Sequence, residues 1–427
     1  MRPTILKRLF RRVASTAALG LLAATLSATT AAQPAAAASG LQQVTGFGSN
    51  PGNLQMYAYT PAGLPDDAPL VVALHGCAQS ADAYYTNSGW PKFADEWGFA
   101  VVFPQTTSAN NALSCFNWFD PADDTRGKGE AASIVQMVDY AKQTYGTDAG
   151  RVYVTGLSAG GGMTADLLAA YPDVFAGGSV ASGMPAQCAT SQLAASTCQY
   201  GPQSQTPAQW GDKVRASYPG YSGPWPRVAI WQGTSDYTVY PANATALRDQ
   251  WTNVWGISQT PSSTDTLPGS TTRTVYNDAS GKPAVQMYSI SGMGHGLAVA
   301  PGSGDQQCGS TAAYFLNTIC SSYYTGVFWG LDDGTAPGDG GDPGDGGDPG
   351  DGGDPGDGGD PGTPDPAACY TASNYAHVTA GRAHTSGGYV YANGSDENMG
   401  LYNLFVSHTL KETPAGYFVI ADSGCTT

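Results

Sequence analysis

The stretch RVYVTGLSAGGGM, residues 151–163, constrains the fold of this chain more than any other segment. It opens with a β-branched and aromatic run, turns through Gly156-Leu157-Ser158-Ala159-Gly160, and continues into an Ala/Leu-rich run with helical spacing, residues 163–170. A strand, a tight turn with serine at its tip and a helix form a nucleophile elbow, whereas a bare GxSxG also occurs by chance in Gly-rich loops. The glycines let strand and helix pass closely, and the helix start directs N–H groups at developing negative charge. The segment therefore predicts Ser158 as a nucleophile.

Composition divides the chain into four predicted segments. Residues 1–38 combine a basic start, an apolar stretch and the small residues Ala36-Ala37-Ala38, which is the pattern of a signal peptide; a membrane anchor would be less rich in Ala, Thr and Ser. The pair Arg11-Arg12 leaves both the Sec and the twin-arginine routes open. Residues 39–331 are the expected catalytic domain, 332–367 a linker and 368–427 a substrate-binding domain. The leader predicts a secreted, extracellular protein.

The eight cysteines suit the oxidising exterior that a signal peptide implies. Many pairings are possible, and the simplest is sequential: Cys77–Cys115, Cys188–Cys198, Cys308–Cys320 and Cys369–Cys425. No CxxC spacing indicates zinc, and we expect neither a metal nor a cofactor.

The formal charge is −16, or about −21 without the five basic residues of the leader. A strongly acidic surface without a basic patch argues against nucleic acid and against membranes as partners. The charge says nothing sharper about the substrate.

The catalytic segment has the pattern of an α/β protein. Residues 69–74, 99–103, 152–155, 227–232 and 285–290 have the composition of strands, and residues 130–145 have an apolar helical face. Strands that alternate with helices imply a mostly parallel sheet covered on both sides. We therefore expect an α/β-hydrolase fold followed by a small, disulfide-stapled, β-rich C-terminal domain.

The linker contains four perfect copies of PGDGGD over residues 337–360. Pro and Gly at this density, without recurring apolar residues, predict an extended or disordered tether. A calcium-binding β-roll is the alternative, but the period of six, the proline in every copy and the lack of apolar residues argue against it.

His295 is the predicted general base. The catalytic segment contains only His75 and His295, and only His295 follows Ser158, as the order nucleophile, acid, histidine requires. It lies in the Gly-rich stretch GMGHG, residues 292–296, after the last predicted strand. A neutral imidazole there would accept the serine proton.

Asp236 is the predicted acid. It follows a core strand in RVAIWQGTSDYTV, residues 227–239, where the turn at Gly233 and Thr234 aims its carboxylate at His295. The other aspartates between nucleophile and base lie in helical or polar surroundings. Backbone N–H groups of Ala159, which follows the nucleophile, and of Cys77 are the predicted oxyanion hole.

Four motifs together resemble a known family. LHGCAQS, GLSAGGGMT, WQGTSDYTV and GMGHG are similar to secreted esterases typified by bacterial polyhydroxyalkanoate (PHB) depolymerases, with feruloyl and acetylxylan esterases as relatives. The resemblance covers residues 41 to about 332. It implies a triad of Ser158, Asp236 and His295, with the HGC loop at residues 75–77.

The tail resembles the C-terminal substrate-binding domain of short-chain polyhydroxyalkanoate depolymerases over CYTASNYAHVTAGRAHTSGGYVYANGSDENMGLYN. The matching elements imply substrate contacts at His377, Arg382 and His384. In the catalytic segment, Trp118, Trp225 and Tyr237 are aromatics that could hold a polymer chain or simply pack in the core. The PGDGGD linker departs from the Thr-rich or fibronectin-like spacers of the family.

These observations predict a secreted, monomeric serine esterase that hydrolyses an insoluble polyester, poly(3-hydroxybutyrate) or a related short-chain polyhydroxyalkanoate. The enzymatic alternative is a feruloyl or acetylxylan esterase whose tail binds polysaccharide. A noncatalytic adhesion protein is the alternative from another class, and the intact set of Ser158, Asp236 and His295 argues against it.

Overall fold

A computed structural model describes residues 40–201, 204–332, 369–386, 389–401, 407–413 and 416–422. The predicted leader, nearly all of the predicted linker and Cys425 lie outside the described residues. No helix in the described ranges is long and apolar enough to cross a membrane.

Ten strands of the catalytic region form one sheet. They are β1 (Gln42–Val44), β2 (Gln55–Tyr59), β3 (Leu70–Leu74), β4 (Ala100–Gln105), β5 (Val152–Leu157), β6 (Gly177–Ala181), β7 (Arg227–Gly233), β8 (Ser263–Leu267), β9 (Thr271–Asn277) and β10 (Pro283–Ile290). Their order across the sheet is β1-β2-β4-β3-β5-β6-β7-β10-β9-β8. The middle strands from β4 to β10 are parallel, and the strands at both edges are antiparallel.

Helices cover both faces of this sheet, as the fully buried strands β3, β5 and β6 require. The helices are α1 (Ala81–Asn87), α2 (Trp90–Trp97), α3 (Gly129–Tyr145), α4 (Ala159–Ala170), α5 (Gln192–Gln199), α6 (Pro207–Ser217), α7 (Ala242–Trp255) and α8 (Ser321–Trp329). One core lies under α3, α4 and α7, and a second lies under α1, α2 and α8. The expected α/β-hydrolase fold is confirmed.

Two features differ from the sequence expectation. Helix α4 begins at Ala159, four residues before its first large apolar residue, because Gly160, Gly161 and Gly162 are buried against the sheet and Trp118. The antiparallel pair β8 and β9 extends the sheet beyond the last predicted strand. Its polar Thr-rich sequence lies half exposed at the edge, which leaves little hydrophobic pattern to detect.

Three of the four expected disulfides are present in the described residues: Cys77–Cys115, Cys188–Cys198 and Cys308–Cys320. The fourth expected pair includes Cys425, outside the described residues, and stays a prediction. A short parallel pair, β11 (Leu297–Val299) and β12 (Phe315–Asn317), follows the main sheet.

The described C-terminal residues are β-rich, as expected. Two three-stranded antiparallel sheets and one short helix are built from β13 (Cys369–Ser373), α9 (Asn374–Thr379), β14 (Ala383–Ser386), β15 (Tyr389–Ala392), β16 (Asn398–Leu401), β17 (Ser407–Glu412) and β18 (Phe418–Ile420). A small core contains Val390, Met399, Leu410 and Phe418.

Candidate active site

Ser158 lies at the tip of the turn between β5 and α4. Its backbone angles are φ 58° and ψ −116°, a region that residues with a side chain rarely adopt. A Cβ at Gly156 would lie 2.2 Å from the Gly160 carbonyl oxygen, and one at Gly160 would lie 2.5 Å from that of His75. Close backbone packing therefore requires glycine at both positions, and the turn directs the Ser158 side chain out of the sheet into the cleft.

His295 and Asp236 form a buried pair. His295 Nδ1 lies 2.8 Å from Asp236 Oδ2. The other carboxylate oxygen of Asp236 accepts hydrogen bonds from the backbone N–H groups of Thr238 and Val239, at 2.9 and 2.8 Å. Asp236 is fully buried and His295 is 6% exposed. The carboxylate is thus fixed in one orientation, and it favours the imidazole tautomer with a proton on Nδ1 and a free Nε2.

Gln232, on strand β7, supports this pair and was not found from the sequence. Its Nε2 donates to Asp236 Oδ2 and to the Val239 carbonyl, both at 3.1 Å. It looked like an ordinary strand residue. The available signal was an amide side chain in a predicted core strand, four residues before Asp236. A buried amide must find hydrogen-bond partners.

The loops that carry Asp236 and His295 are tied to each other. The backbone N–H of Ser235 donates to the Met293 carbonyl at 3.0 Å, and that of Gly292 donates to Thr234 Oγ1 at 2.9 Å. A Cβ at Gly233 would lie 2.2 Å from the Met293 carbonyl oxygen, so the close approach requires glycine there.

One cleft of about 710 Å³ brings Ser158 and His295 together. Among the described residues, Asp236 is the one hydrogen-bond partner of the His295 side chain, so the serine hydroxyl and Nε2 are not joined in this state. Catalytic hydrogen bonds are often long in the absence of substrate. The arrangement can perform acyl transfer once the hydroxyl rotates toward Nε2.

The two expected oxyanion donors also line this cleft. The backbone N–H groups of Cys77 and Ala159 have no acceptor among the described residues. Ala159 is the first residue of α4, where backbone N–H groups have no partner within the helix. In the loop after β3, the N–H that follows Cys77, that of Ala78, donates to the Leu113 carbonyl. The Cys77–Cys115 disulfide ties the same loop to residues 106–128.

His75 is a buried structural residue. Its Nδ1 lies 2.7 Å from the Gly76 carbonyl, and its Nε2 accepts from the Thr106 N–H at 3.3 Å. Burial lowers the pKa of His75 to about 4, so the ring is neutral and both nitrogens are used. This leaves His295 as the histidine in the cleft.

The cleft walls contain aromatic and apolar side chains from three segments. Trp118 is 3% exposed and packs on Gly162, whereas Tyr237 is half exposed at the mouth. The structure thus places both sequence candidates in the cleft. Trp225 is elsewhere, in a second cleft.

Helix α5 and its exit supply another wall that the sequence did not indicate. Gln199 and Tyr200 face the cleft, and the Cys188–Cys198 disulfide holds the helix at its end. The Tyr200 ring packs edge-on against Tyr240 at 5.6 Å. Short, polar helices of this kind carry little periodic signal.

In the C-terminal region, the three expected substrate contacts His377, Arg382 and His384 differ in exposure. The His377 side chain is fully buried, its Nε2 lies 2.9 Å from the His408 carbonyl, and its Nδ1 accepts from Arg382 Nε at 3.1 Å. Arg382 is half-buried, with its guanidinium 4.6 Å from the ring centre of Tyr370. His384 is exposed, and its ring stacks on Tyr391 at 5.9 Å.

No group of three or more His, Cys, Asp or Glu side chains in the described part of the chain is placed to hold a metal ion.

Comparison with known proteins identifies relatives of the catalytic region. Residues 54–272 match the family described as esterase PHB depolymerase. The chain is 53% identical over 292 residues to poly(3-hydroxyalkanoate) depolymerase C of Paucimonas lemoignei, a match that covers 68% of this chain and 70% of the relative.

Two further similar proteins are named as esterases of other substrates. Feruloyl esterase B of Talaromyces funiculosus is 40% identical over 269 residues, covering 61% of this chain and 74% of the relative. The solved structure of an acetyl xylan esterase from Aspergillus awamori superposes with a TM-score of 0.56 at 34% identity, covering 60% of this chain and 94% of that one.

Proposed function

The chain belongs to the esterase PHB depolymerase family and is a carboxylic ester hydrolase, and from this premise we propose that it is a secreted serine esterase that hydrolyses poly(3-hydroxybutyrate) or a related short-chain polyhydroxyalkanoate. The catalytic groups are Ser158, His295 and Asp236. The C-terminal module binds the polymer, and the enzyme acts as an extracellular monomer.

In the proposed mechanism, Ser158 Oγ attacks the ester carbonyl while its proton passes to His295 Nε2. Asp236 orients the ring and stabilises the imidazolium. The N–H groups of Cys77 and Ala159 donate to the oxyanion of the tetrahedral intermediate. His295 then protonates the departing alkoxide, and the acyl group stays on Ser158. Water, deprotonated by His295, attacks the acyl-enzyme, and His295 returns this proton to Ser158 Oγ as the bond to the acyl group breaks and the acid leaves.

The observation that carries the polyester proposal is the distribution of exposed apolar side chains. In the described residues 40–332, the large exposed hydrophobic side chains are Leu113, Leu193, Tyr200, Tyr237 and Tyr240. Four of them line the cleft that contains Ser158, and Leu193, 85% exposed, lies on α5 in its wall. This cluster of exposed apolar side chains, the apolar mouth of the cleft, is costly in water, and such clusters are typical of interaction sites. An apolar solid would cover it.

The C-terminal module also has exposed aromatic side chains. On the sheet of β14, β15 and β16, His384 pairs across the strands with Tyr391, and Tyr389 lies two residues before it on the same side. Tyr389 is 45% exposed. Flat rings beside each other on one sheet face provide a contact surface for an extended chain.

Incubating the secreted full-length chain with PHB granules tests the proposal. We expect soluble hydroxybutyrate products, which the matched Ser158→Ala variant does not form although it still adsorbs to the granules. Intact granules, together with rapid hydrolysis of methyl ferulate or acetylated xylan, would contradict the polyester assignment and leave the esterase assignment standing.

The second candidate function is a feruloyl or acetylxylan esterase. The 40% identity to a feruloyl esterase B and the structural similarity to an acetyl xylan esterase favour it. The aromatic cleft walls at Trp118 and Tyr237 would also suit a feruloyl group. Release of ferulate from a soluble ester at a higher kcat/KM than p-nitrophenyl butyrate would favour this candidate.

A further inference from the structure

A second cleft of about 660 Å³ lies at the amino ends of the parallel strands, whereas the catalytic site lies at their carboxyl ends. Its walls include Trp225, Trp255 and Tyr221, and its floor includes Arg227, the first residue of β7. The same strand ends three residues before Asp236, about 20 Å away at the usual rise per strand residue. The second cleft is therefore separate from the Ser158 cleft.

Arg227 has unused donors in this cleft. Its Nε donates to the Pro283 carbonyl at 2.9 Å, and its guanidinium lies 4.5 Å from the ring centre of Phe328. No carboxylate in the described residues lies within ion-pair distance, and the terminal Nη atoms have no hydrogen-bond acceptor there. Asp278 attracts this cation electrostatically without forming an ion pair with it, and burial lowers the pKa of Arg227.

Two further donors are free beside it. Among the described residues, neither the indole N–H of Trp225 nor the ammonium of Lys282 has an acceptor, and both residues line the cleft. Trp255 and Tyr221 are already satisfied, since they donate to the carbonyls of Pro226 and Pro224 at 2.9 and 2.7 Å.

The two acidic residues of the lining, Asp173 and Asp278, already accept hydrogen bonds. Asp173 forms a two-pronged pair with Arg126, with both N–O distances at 2.7 Å. Asp278 accepts from the N–H groups of Ser280 and Lys282 in its own turn, at 2.8 and 3.0 Å. The lining thus contains two cations and two carboxylates, and it has unused hydrogen-bond donors on Arg227, Lys282 and Trp225.

We propose that this cleft is a noncatalytic binding site for a monocarboxylate with an apolar body, its carboxylate held by Arg227 and Lys282 and its body packed between Trp225 and Trp255. Arginine forms strong, directional pairs with carboxylates, and two indole rings provide apolar contact surface. An acid of this class is what ester hydrolysis releases, so the link to reaction products rests on the proposed function, whereas the binding itself does not. A hydroxybutyrate oligomer and an aromatic acid such as ferulate share this chemistry.

The test uses the full chain with Ser158 covalently blocked by diethyl p-nitrophenyl phosphate, so that the catalytic cleft is occupied and no turnover occurs. Calorimetric titration with the linear 3-hydroxybutyrate dimer and with ferulate should show one binding site for at least one of them. Methyl ferulate, which has the ring but no charge, should bind at least about tenfold more weakly than ferulate. The tighter of the two acids identifies the source of the ligand.

Arg227→Gln should weaken the binding at least about tenfold, and Lys282→Glu should do the same by placing a negative charge at the mouth. Arg248→Gln is the matched control, because that arginine is already paired with Asp249 at 2.6 Å and does not line the cleft. If Arg227→Gln fails to fold, the exposed Lys282→Glu variant decides.

Absence of binding to the blocked enzyme, or equal binding by Lys282→Glu and the parent, would overturn the proposal. Failure to degrade either PHB or feruloyl esters would contradict the proposed function instead and would leave this binding result unaffected.

Discussion

The hydrogen bonds of the single residue Asp236 determine which nitrogen of His295 carries the proton. One carboxylate oxygen is held by two backbone N–H groups, and the other faces His295 Nδ1 and Gln232 Nε2. Both oxygens are acceptors, so the histidine must place its proton on Nδ1. Its Nε2 then remains free to accept the serine proton.

Asp236→Asn should therefore reduce kcat by about 10⁴-fold with little change in KM. The two backbone donors keep the amide oxygen on their side, so the amide N–H₂ would face His295 Nδ1 and force the proton onto Nε2. The measurement is p-nitrophenyl butyrate hydrolysis, with Asp249→Asn, a half-buried carboxylate on α7, as the control. An Asp236→Asn variant with near-parental kcat would show that another group orients the base.

Glu130 connects helix α3 to one wall of the catalytic cleft. It lies in the first turn of α3, fully buried, and accepts from the Asn117 N–H at 2.7 Å and from Asn117 Nδ2 at 3.2 Å. Asn117 in turn contacts Asn111 and Asp123. The carboxyl group thus anchors residues 106–128, which form one wall of the catalytic cleft.

Burial raises the pKa of Glu130 from 4.5 to about 8. Because the folded state holds this proton more tightly than the unfolded state, the stabilising contribution is complete below pH 4.5 and is lost as pH rises through 8, by at most about 5 kcal/mol. Glu130→Gln cannot lose a proton. Its Tm relative to the parent should therefore increase steadily between pH 5 and pH 9.

The control for this prediction is Asp139→Asn on the same helix, an exposed carboxylate paired with Lys142. Its Tm difference from the parent should not vary with pH in the same way. Asp124, whose pKa is raised to about 7 by burial, contributes in the same direction, so some pH dependence should persist in Glu130→Gln. Parallel Tm curves for Glu130→Gln and the parent would contradict the prediction.

The loop after β3 gives a prediction about catalysis rather than stability. The Cys77–Cys115 disulfide ties the Cys77 N–H, a proposed oxyanion donor, to the cleft wall. The double variant Cys77→Ala/Cys115→Ala should lower kcat by about 10-fold or more at a temperature well below Tm, because a mobile donor is worth less to the transition state.

Cys308→Ala/Cys320→Ala is the matched control, since it removes a buried disulfide that does not line the catalytic cleft. It should lower Tm with kcat largely retained. If both double variants lose the same fraction of kcat at the same distance below Tm, the role of the first disulfide is stability alone.

Local sequence patterns predicted those elements whose structure depends mainly on residues close together in the chain. The elbow around Ser158, the order of nucleophile, acid and base, and the buried strands follow from spacing and turn residues. Gln232, helix α5 and the strands β8 and β9 could not be predicted in the same way. Their roles depend on which distant segment packs on them, and their polar or half-exposed sequences carry weak periodicity. The burial of His377 could not be predicted for the same reason, because burial depends on the folded surroundings.

At the scale of the whole molecule, the residues proposed for chemistry lie before residue 332, and the proposed polymer-binding residues of the tail lie after residue 368. The sequence predicts a Pro/Gly-rich tether between them, and a tether of this composition raises the effective concentration of one part near the ligand of the other. The two activities should therefore be separable, although the catalytic cleft has an apolar mouth of its own.

Truncation at about Gly334 keeps Leu331, which is buried in the catalytic core, and removes the linker and the module. Hydrolysis of p-nitrophenyl butyrate should change by less than about twofold, whereas the rate of PHB film erosion should fall at least about tenfold, because surface concentration is lost. The full chain with His384→Ser and Tyr391→Ser should behave like the truncated chain, with Tyr57→Ser on β2 as the control. Film loss is measured by weight, and adsorption by depletion of protein from solution. Equal film erosion by the truncated and full chains, at equal activity on the soluble ester, would show that the apolar mouth alone holds the enzyme on the polymer.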